Sequence, residues 1–165
     1  MAVVSLLDPS PGECICDLCA APGGKSTQIA GMMQGEGLLV SNEIIPGRAK
    51  ILSQAIERAG ISNAIVCNES PQRMADHFPV FFDRVLVDAP CSGEGMFRKQ
   101  SNMTTAWENN GVDLFVGLQR SILKEAVTML KPGGKLIYST CTFSPDENEQ
   151  SIEYLLSLDD NLLPD

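Results

Sequence analysis

Two cysteines that follow predicted buried strands could supply a nucleophile. Cys91 lies in the segment Asp88-Ala-Pro-Cys-Ser-Gly93, and Cys141 ends the segment Ser139-Thr-Cys141. A thiolate is a strong nucleophile at neutral pH, and a nearby cation, for which Lys25 is a candidate, lowers the pKa of a thiol. A strand-end cysteine is also a common small buried residue. Two of them, one preceded by Asp-Ala-Pro, nevertheless indicate covalent chemistry.

A glycine-rich turn follows the first predicted strand, in Asp17-Leu-Cys-Ala-Ala-Pro-Gly-Gly-Lys-Ser26. Its two glycines let the backbone approach a ligand closely, and the following helix would point its N-terminus at that ligand. The segment is not a Walker A loop, because Cys19 stands where that motif needs a glycine, and it lacks the three spaced glycines of a dinucleotide fingerprint. A plain tight turn is the alternative interpretation.

Polar residues at two further strand ends are compatible with a nucleoside site. Glu43 ends the second predicted strand, where a carboxylate can accept both hydroxyls of a ribose. Asn68 follows the third strand, where an amide could contact the edge of an adenine. Each residue alone could be a solvated strand-end side chain. Together with the glycine turn, they predict a nucleoside-binding site.

The other residues capable of chemistry give no functional prediction. The cluster Cys14-x-Cys-x-x-Cys19 lacks a fourth metal ligand nearby, and two of its cysteines lie inside a predicted central strand. His77, the only histidine, lies in a polar connection without a partner pattern. We therefore expect no metal site.

Alternating strands and helices must position these residues. The sequence predicts strands at Cys14–Leu18, Leu38–Glu43, Ala64–Cys67, Arg84–Asp88 and Lys135–Ser139, and helices at 24–33, 46–59, 113–130 and 146–158. This alternation is typical of right-handed crossover units, so we expect an α/β fold with a doubly wound parallel sheet. Ligands of such folds bind at the carboxyl ends of the strands. The long connection Ala89–Gly111 is either a functional loop or a disordered one.

Length and composition exclude several classes of protein. A chain of 165 residues with 44% hydrophobic and 20% charged residues is typical of one globular domain, not of a disordered, collagenous or coiled-coil protein. No apolar run is long enough to span a bilayer, and 1–8 does not resemble a secretory signal, so we expect six reduced cysteines and a cytoplasmic location. The net charge of −9 is the wrong sign for binding nucleic acid through phosphate charge alone.

At these residues the chain resembles the Sun-type RNA cytosine-5 methyltransferases, which use S-adenosylmethionine. The resemblance rests on Asp17-Leu-Cys-Ala-Ala-Pro-Gly-Gly-Lys25, Asp88-Ala-Pro-Cys-Ser-Gly93 and Tyr138-Ser-Thr-Cys141, with Gln119 and Leu123 on the long helix, and it extends to about Leu158. The segment Ser92-Gly-Glu-Gly-Met-Phe-Arg98 is most similar to the bacterial subgroup that methylates small-subunit ribosomal RNA. The implied fold is a Rossmann-like class I methyltransferase sheet, truncated to five parallel strands in the order 3-2-1-4-5, with strand five at an exposed edge.

The resemblance also implies a role for each site residue. Cys141 would add to C6 of the target cytosine, Asp88 would hold or protonate N3, and Cys91 would assist loss of the C5 proton and release of the product. Lys25 would lie near the cofactor carboxylate and the cytosine. The residues expected to line the cofactor are Cys19, Ala20, Ala21, Pro22, Gly23, Gly24, Lys25, Glu43, Arg48, Asn68 and Asp88. In DNA cytosine-5 methyltransferases the nucleophile follows a proline, which here would be Cys91, whereas Thr140-Cys141 favours the RNA arrangement.

Family members are much longer than this chain, with RNA-gripping regions before and after the catalytic domain. We therefore interpret residues 1–165 as a single catalytic core without those regions, and expect the missing parts to supply the positive charge that RNA requires. We expect a monomer that could associate through its exposed edge. Three functions stay open: a methyltransferase core acting on RNA, especially ribosomal RNA; a module that binds S-adenosylmethionine without turnover; and a methyltransferase for DNA or protein, against which the cysteine pair argues.

Overall fold

The computed structural model describes residues 2–96 and 102–164. Its helices are α1 (Ala2–Leu7), α2 (Gly24–Met33), α3 (Pro46–Arg58), α4 (Pro71–His77), α5 (Asn102–Met129) and α6 (Glu149–Leu156), with a 3₁₀ turn at Glu94–Met96. Its strands are β1 (Cys14–Asp17), β2 (Leu38–Asn42), β3 (Ala64–Cys67), β4 (Phe82–Asp88) and β5 (Leu130–Ser139). The chain divides into two compact units, unit 1 (Met1–Asp88 with Glu125–Tyr138) and unit 2 (Ala89–Lys124 with Ser139–Asp165).

The five strands form one parallel sheet in the order β3-β2-β1-β4-β5, which confirms the predicted fold class and strand order. β1 is the central strand, and its Cys16 pairs with Val40 of β2 and with Val85 of β4. Apolar residues are buried along both β1 and β2, as expected for parallel strands covered on both faces. The parallel order brings the carboxyl ends of the strands to one edge of the sheet.

Two hydrophobic clusters hold unit 1 together. In the first, α1 and α2 pack onto the sheet through Val4, Leu7, Ile15, Ile29, Ala30, Met33, Leu39 and Leu86. In the second, the turn after β1 packs against α3 through Ala20, Ala21, Leu52 and Ile56. The second cluster anchors the glycine-rich turn on a helix. Within the described ranges, no helix is both long and apolar enough to cross a membrane.

The structure extends the predicted elements in several places. α1 and α4 were not predicted, since each is too short for a helical pattern to be recognised. His77 therefore ends a helix instead of lying in a polar connection. α5 begins at Asn102, so 102–111 of the long connection are helical, whereas 97–101 lie outside the described residues. β5 begins at Leu130, directly after α5 and five residues before the predicted start at Lys135.

Candidate active site

The glycine-rich turn of unit 1 is attached to the sheet and to α3. The Leu18 N–H donates to the Leu86 carbonyl at 2.9 Å, and the Ala20 N–H donates to the Asn42 carbonyl at 2.8 Å. Gly23 caps α2 with φ +111°, and a Cβ at this position would lie 2.9 Å from the Cβ of Ala55. Because both the backbone angle and the space favour glycine, residue 23 lets the turn approach α3 closely.

Three buried polar side chains, those of Asp17, Ser26 and Ser41, are hydrogen-bonded to one another next to this turn. Asp17 is fully buried at the end of β1, where its Oδ2 accepts a hydrogen bond from Ser26 Oγ at 2.7 Å. Ser41 Oγ donates to Ser26 Oγ at 2.9 Å, whereas Asp17 Oδ1 has no hydrogen-bond partner among the residues that the structure describes. Burial is the main reason that the pKa of Asp17 rises to about 7. The role of Asp17 could not be predicted from the sequence, because a carboxylate at a strand end gives no sign of complete burial.

Glu43, predicted to bind a ribose, follows β2 with only 4% of its side chain exposed. Its Oε1 accepts a hydrogen bond from the Ile45 N–H at 2.9 Å, and its Oε2 lies 3.2 Å from Arg48 Nη1. Arg48 Nη2 also donates to the Ala21 carbonyl at 2.9 Å. The pair therefore joins the end of β2 to the glycine-rich turn, and it fixes the orientation of the carboxylate.

Two asparagines connect the strand ends. The Nδ2 of Asn68, the residue predicted to contact adenine, donates to the carbonyls of Glu43 at 2.6 Å and Ile44 at 3.0 Å. Asn42 Nδ2 donates to the carbonyls of Leu18 at 3.2 Å and Glu69 at 3.0 Å. Asn68 thus supports the Glu43 segment, and its contact with adenine stays a prediction. Asn42 was not selected from the sequence, because only the fold shows that it bridges three strands.

Lys25 and Asp88, predicted to serve both the cofactor and the cytosine, form an ion pair. Lys25 Nζ donates to Asp88 Oδ2 at 2.6 Å, and their side chains are 24% and 35% exposed. Lys25 lies in the first turn of α2, and Asp88 is the last residue of β4. Both groups are therefore fixed by regular elements and still accessible to a ligand.

In unit 2, the structure brings the two predicted cysteines into contact. The Sγ atoms of Cys91 and Cys141 lie 3.0 Å apart, which is too far for a disulfide bond, and the Cys141 N–H donates to Cys91 Sγ at 3.2 Å. Cys91 is buried, with 8% of its surface exposed, whereas Cys141 is exposed. The side-chain hydrogen bond between the two thiols, followed by burial, raises the pKa of the Cys91 thiol, whereas the hydrogen bond from the Cys141 N–H lowers it by less. The two thiols therefore differ in accessibility.

Gly95 permits the backbone to approach Cys141. The Gly95 N–H donates to the Cys141 carbonyl at 2.9 Å, and a Cβ on Gly95 would lie 2.7 Å from that same oxygen. Any side chain at residue 95 would displace the Cys141 loop.

The predicted site residues form two groups, each within its own unit: the turn, Glu43, Arg48, Asn68, Lys25 and Asp88 in unit 1, and the thiol pair in unit 2. Among the residues whose side chains are described, 2–95 and 112–164, no group of three His, Cys, Asp or Glu side chains is suited to a metal ion.

This sheet order is that of the Rossmann-like methyltransferases, and several solved structures share the fold. The chain belongs to the family described as 16S rRNA methyltransferase RsmB/F, whose sequence model matches residues 4–163. This membership confirms the resemblance inferred from the motifs.

Three relatives show what the chain is similar to. It is 43% identical over 143 residues to a ribosomal RNA small subunit methyltransferase F of Vibrio vulnificus, covering 87% of this chain and 30% of that protein. It is 43% identical over 155 residues to a tRNA (cytosine(49)-C(5))-methyltransferase of Pyrococcus abyssi, covering 94% of this chain and 50% of that protein. The crystal structure of NSun6 from Pyrococcus horikoshii with SFG has a TM-score of 0.82 and 28% identity, covering 94% of this chain and 39% of that one. The chain therefore spans between about a third and a half of the length of these relatives.

Proposed function

We propose that this chain is the catalytic core of an RNA methyltransferase that transfers a methyl group from S-adenosylmethionine to C5 of cytosine. The observation that carries the proposal is the thiol pair, in which an exposed Cys141 lies 3.0 Å from a buried Cys91. Methylation of nitrogen or oxygen needs no thiol, whereas C5 of cytosine becomes nucleophilic only after a thiolate has added to C6. The family and its relatives' names support the same reaction class.

The unit 1 residues fit S-adenosylmethionine. The backbone of residues 19–24 passes close to α3 without a side chain at Gly23, and Glu43 presents a buried carboxylate, which suits the hydroxyls of a ribose. Arg48 and Asn68 hold this segment in place. A relative in the family has been solved with SFG, an analogue of S-adenosylmethionine. When bound, the cofactor supplies an electrophilic methyl group on a positively charged sulfur.

The residues of the chain would act in sequence on the cytosine. The Cys141 thiolate adds to C6, while Asp88 holds or protonates N3, which makes C6 electrophilic. Lys25 fixes the Asp88 carboxyl group through the 2.6 Å ion pair. C5 then receives the methyl group, and the C5 proton passes to solvent with the assistance of Cys91. Cys141 leaves C6 as a thiolate, and a proton that Asp88 gave to N3 returns to Asp88. The exposure of Cys141 favours it as the nucleophile, because the attacking sulfur must reach the base.

Ribosomal RNA is the substrate that we propose, because of the similarity to the small-subunit enzymes. A tRNA cytosine is the second candidate, since the Pyrococcus tRNA enzyme is equally similar over a longer part of this chain. Methylation assays with both RNAs distinguish the two candidates. In either case, a cytosine in a loop or single strand costs the least energy to withdraw from its stack.

A covalent trap tests the assignment of the two cysteines. RNA containing 5-fluorocytosine is incubated with the protein and S-adenosylmethionine, because fluorine at C5 blocks the final elimination and preserves the adduct. On denaturing gels, we expect Cys141→Ala to abolish the adduct and Cys67→Ala, a control at a thiol of β3, to retain it. With ordinary RNA, we expect Cys91→Ala to accumulate adduct. If Cys91→Ala prevents adducts and Cys141→Ala does not, the two roles are reversed.

Calorimetric titration with S-adenosylmethionine tests the proposed cofactor binding independently of methyl transfer. Saturable binding with no adduct in any RNA would favour the alternative function, a module that binds S-adenosylmethionine without turnover. No binding by a folded chain would refute the proposed cofactor role of this chain on its own.

A further inference from the structure

A buried carboxylate organises the residues that follow both cysteines. Glu147 is fully buried in unit 2, and its Oε2 accepts hydrogen bonds from the Ser92 N–H at 2.9 Å and from Gln119 Nε2 at 2.8 Å. Its Oε1 accepts a hydrogen bond from Ser92 Oγ. A carboxylate removed from water is expensive unless hydrogen bonds compensate for the lost hydration. The three donors on Glu147 provide this compensation, so the arrangement is specific.

Glu147 is connected to both thiols through the residues that follow them in the chain, Ser92 after Cys91 and Thr142 after Cys141. Ser92 directly follows Cys91, and its Oγ lies 2.9 Å from Thr142 Oγ1, which belongs to the residue directly after Cys141. Thr142 Oγ1 in turn donates to Glu94 Oε2 at 3.2 Å. A single carboxylate therefore fixes Ser92 through both its N–H and its hydroxyl, and Ser92 contacts the Cys141 loop.

Further hydrogen bonds support the same region. Gln119 Nε2, besides contacting Glu147, donates to the Pro90 carbonyl at 3.0 Å, so it restrains the residue before Cys91. Asn148, the neighbour of Glu147, donates through Nδ2 to the carbonyls of Thr142 at 3.3 Å and Ser144 at 3.0 Å. Cys91 is thus restrained on both sides, and the Cys141 loop is held from the segment that carries Glu147.

We propose that Glu147 is a positioning residue that keeps the sulfurs of Cys91 and Cys141 in contact. The inference rests on the proposed function, in which Cys91 must act on the adduct formed by Cys141. Glu147 acts through its hydrogen bonds to Ser92, and through the contact of Ser92 with Thr142. A displacement of about 1 Å at a reacting group can lower a rate by roughly 100-fold, which is why such an indirect contact matters.

The contact between the two thiols can be tested without RNA or cofactor, from the rate at which they form a disulfide. Diamide accepts two electrons and two protons from two thiols and leaves a disulfide, and its reaction is fastest for thiols that are already in contact. Mass spectrometry then follows the Cys91–Cys141 disulfide separately from the other four cysteines. We expect the wild-type chain to form this disulfide rapidly, and Glu147→Ala to form it at least roughly tenfold more slowly.

Matched variants separate positioning from loss of stability. Glu147→Gln retains an acceptor for the Ser92 N–H and Gln119, and its amide can donate to Ser92 Oγ, so we expect a rate within roughly threefold of wild type. Leu155→Ala removes buried apolar surface from α6 but no hydrogen-bonding side-chain group, and we expect it to leave the rate unchanged. Glu149→Gln is the corresponding exposed control. If Glu147→Ala does not fold, Ser92→Ala provides the same test, because it removes the hydroxyl that donates to Glu147.

The outcomes also distinguish this inference from the proposed function. If folded Glu147→Ala forms the Cys91–Cys141 disulfide at the wild-type rate, the positioning role is overturned. The same holds for Ser92→Ala where it replaces that variant. An equally slow disulfide formation in Leu155→Ala also overturns the role. If wild type forms no adduct with RNA while the disulfide rates follow the expected order, the proposed function fails and Glu147 still holds the pair. If both hold, Glu147→Ala lowers kcat and leaves the Kd for S-adenosylmethionine unchanged.

Discussion

The buried carboxyl of Asp17 should make the stability of this protein fall as the pH rises. In the folded chain burial raises the pKa of Asp17 to about 7, whereas its ordinary value is 3.8. Below 3.8 the group is protonated in both the folded and the unfolded states. Between the two pKa values only the folded state retains the proton, so the free energy of unfolding decreases with increasing pH. Above about 7 both states are ionised and the decrease ends.

The size of this effect follows from the two pKa values. Each pKa unit corresponds to about 1.4 kcal/mol. The difference between 3.8 and about 7 therefore amounts to about 4 kcal/mol of lost stability across this pH range. Asn at position 17 keeps an acceptor for Ser26 and cannot ionise, so Asp17→Asn should remove this part of the pH dependence. Relative to wild type, the variant should gain about 4 kcal/mol between pH 4 and pH 8.

Urea unfolding at several pH values measures this difference directly. Wild type and Asp17→Asn are compared at each pH, so that the titration of all other groups cancels. Asp76→Asn, a replacement of an exposed aspartate on α4, serves as the matched control and should parallel wild type. A wild-type minus Asp17→Asn difference that stays constant between pH 4 and pH 8 would refute the argument that burial controls the protonation of Asp17.

Three other substitutions have direct structural predictions. Gly23→Ala should lower the free energy of unfolding in urea by roughly 1–3 kcal/mol, because φ is +111° and the new Cβ meets α3. In the control Gly47→Ala the new Cβ has no atom within 4 Å, so the chain should not be destabilised. Equal effects of the two substitutions would contradict this reasoning. Glu43→Ala should weaken S-adenosylmethionine binding in calorimetry by roughly tenfold or more, since hydrogen bonds to a charged group are lost, and an unchanged Kd would exclude it from the ribose site. Gly95→Ala should slow Cys91–Cys141 disulfide formation by diamide, because its Cβ would lie 2.7 Å from the Cys141 carbonyl; a wild-type rate would show that the loop adapts.

The fold could be predicted well from local patterns. Gly24–Met33 and Ala64–Cys67 have the predicted bounds, and the strand order follows from the alternation of elements and the family resemblance. The short helices α1 and α4 could not, since six or seven residues contain too few turns for a helical period. Likewise, α5 starts eleven residues before the predicted start at 113, where the sequence shows a polar connection.

The residues available for chemistry could be predicted from motif spacing along parallel strands, which is a local property. They are the thiols of Cys91 and Cys141, the Lys25 cation and the carboxylates of Glu43 and Asp88. Three other features depend on the folded chain: Cys91 is buried and Cys141 exposed, Asp17 is excluded from water, and Glu147 connects segments about 50 residues apart. Burial and hydrogen bonding between distant segments depend on how the chain packs, and no local pattern encodes them.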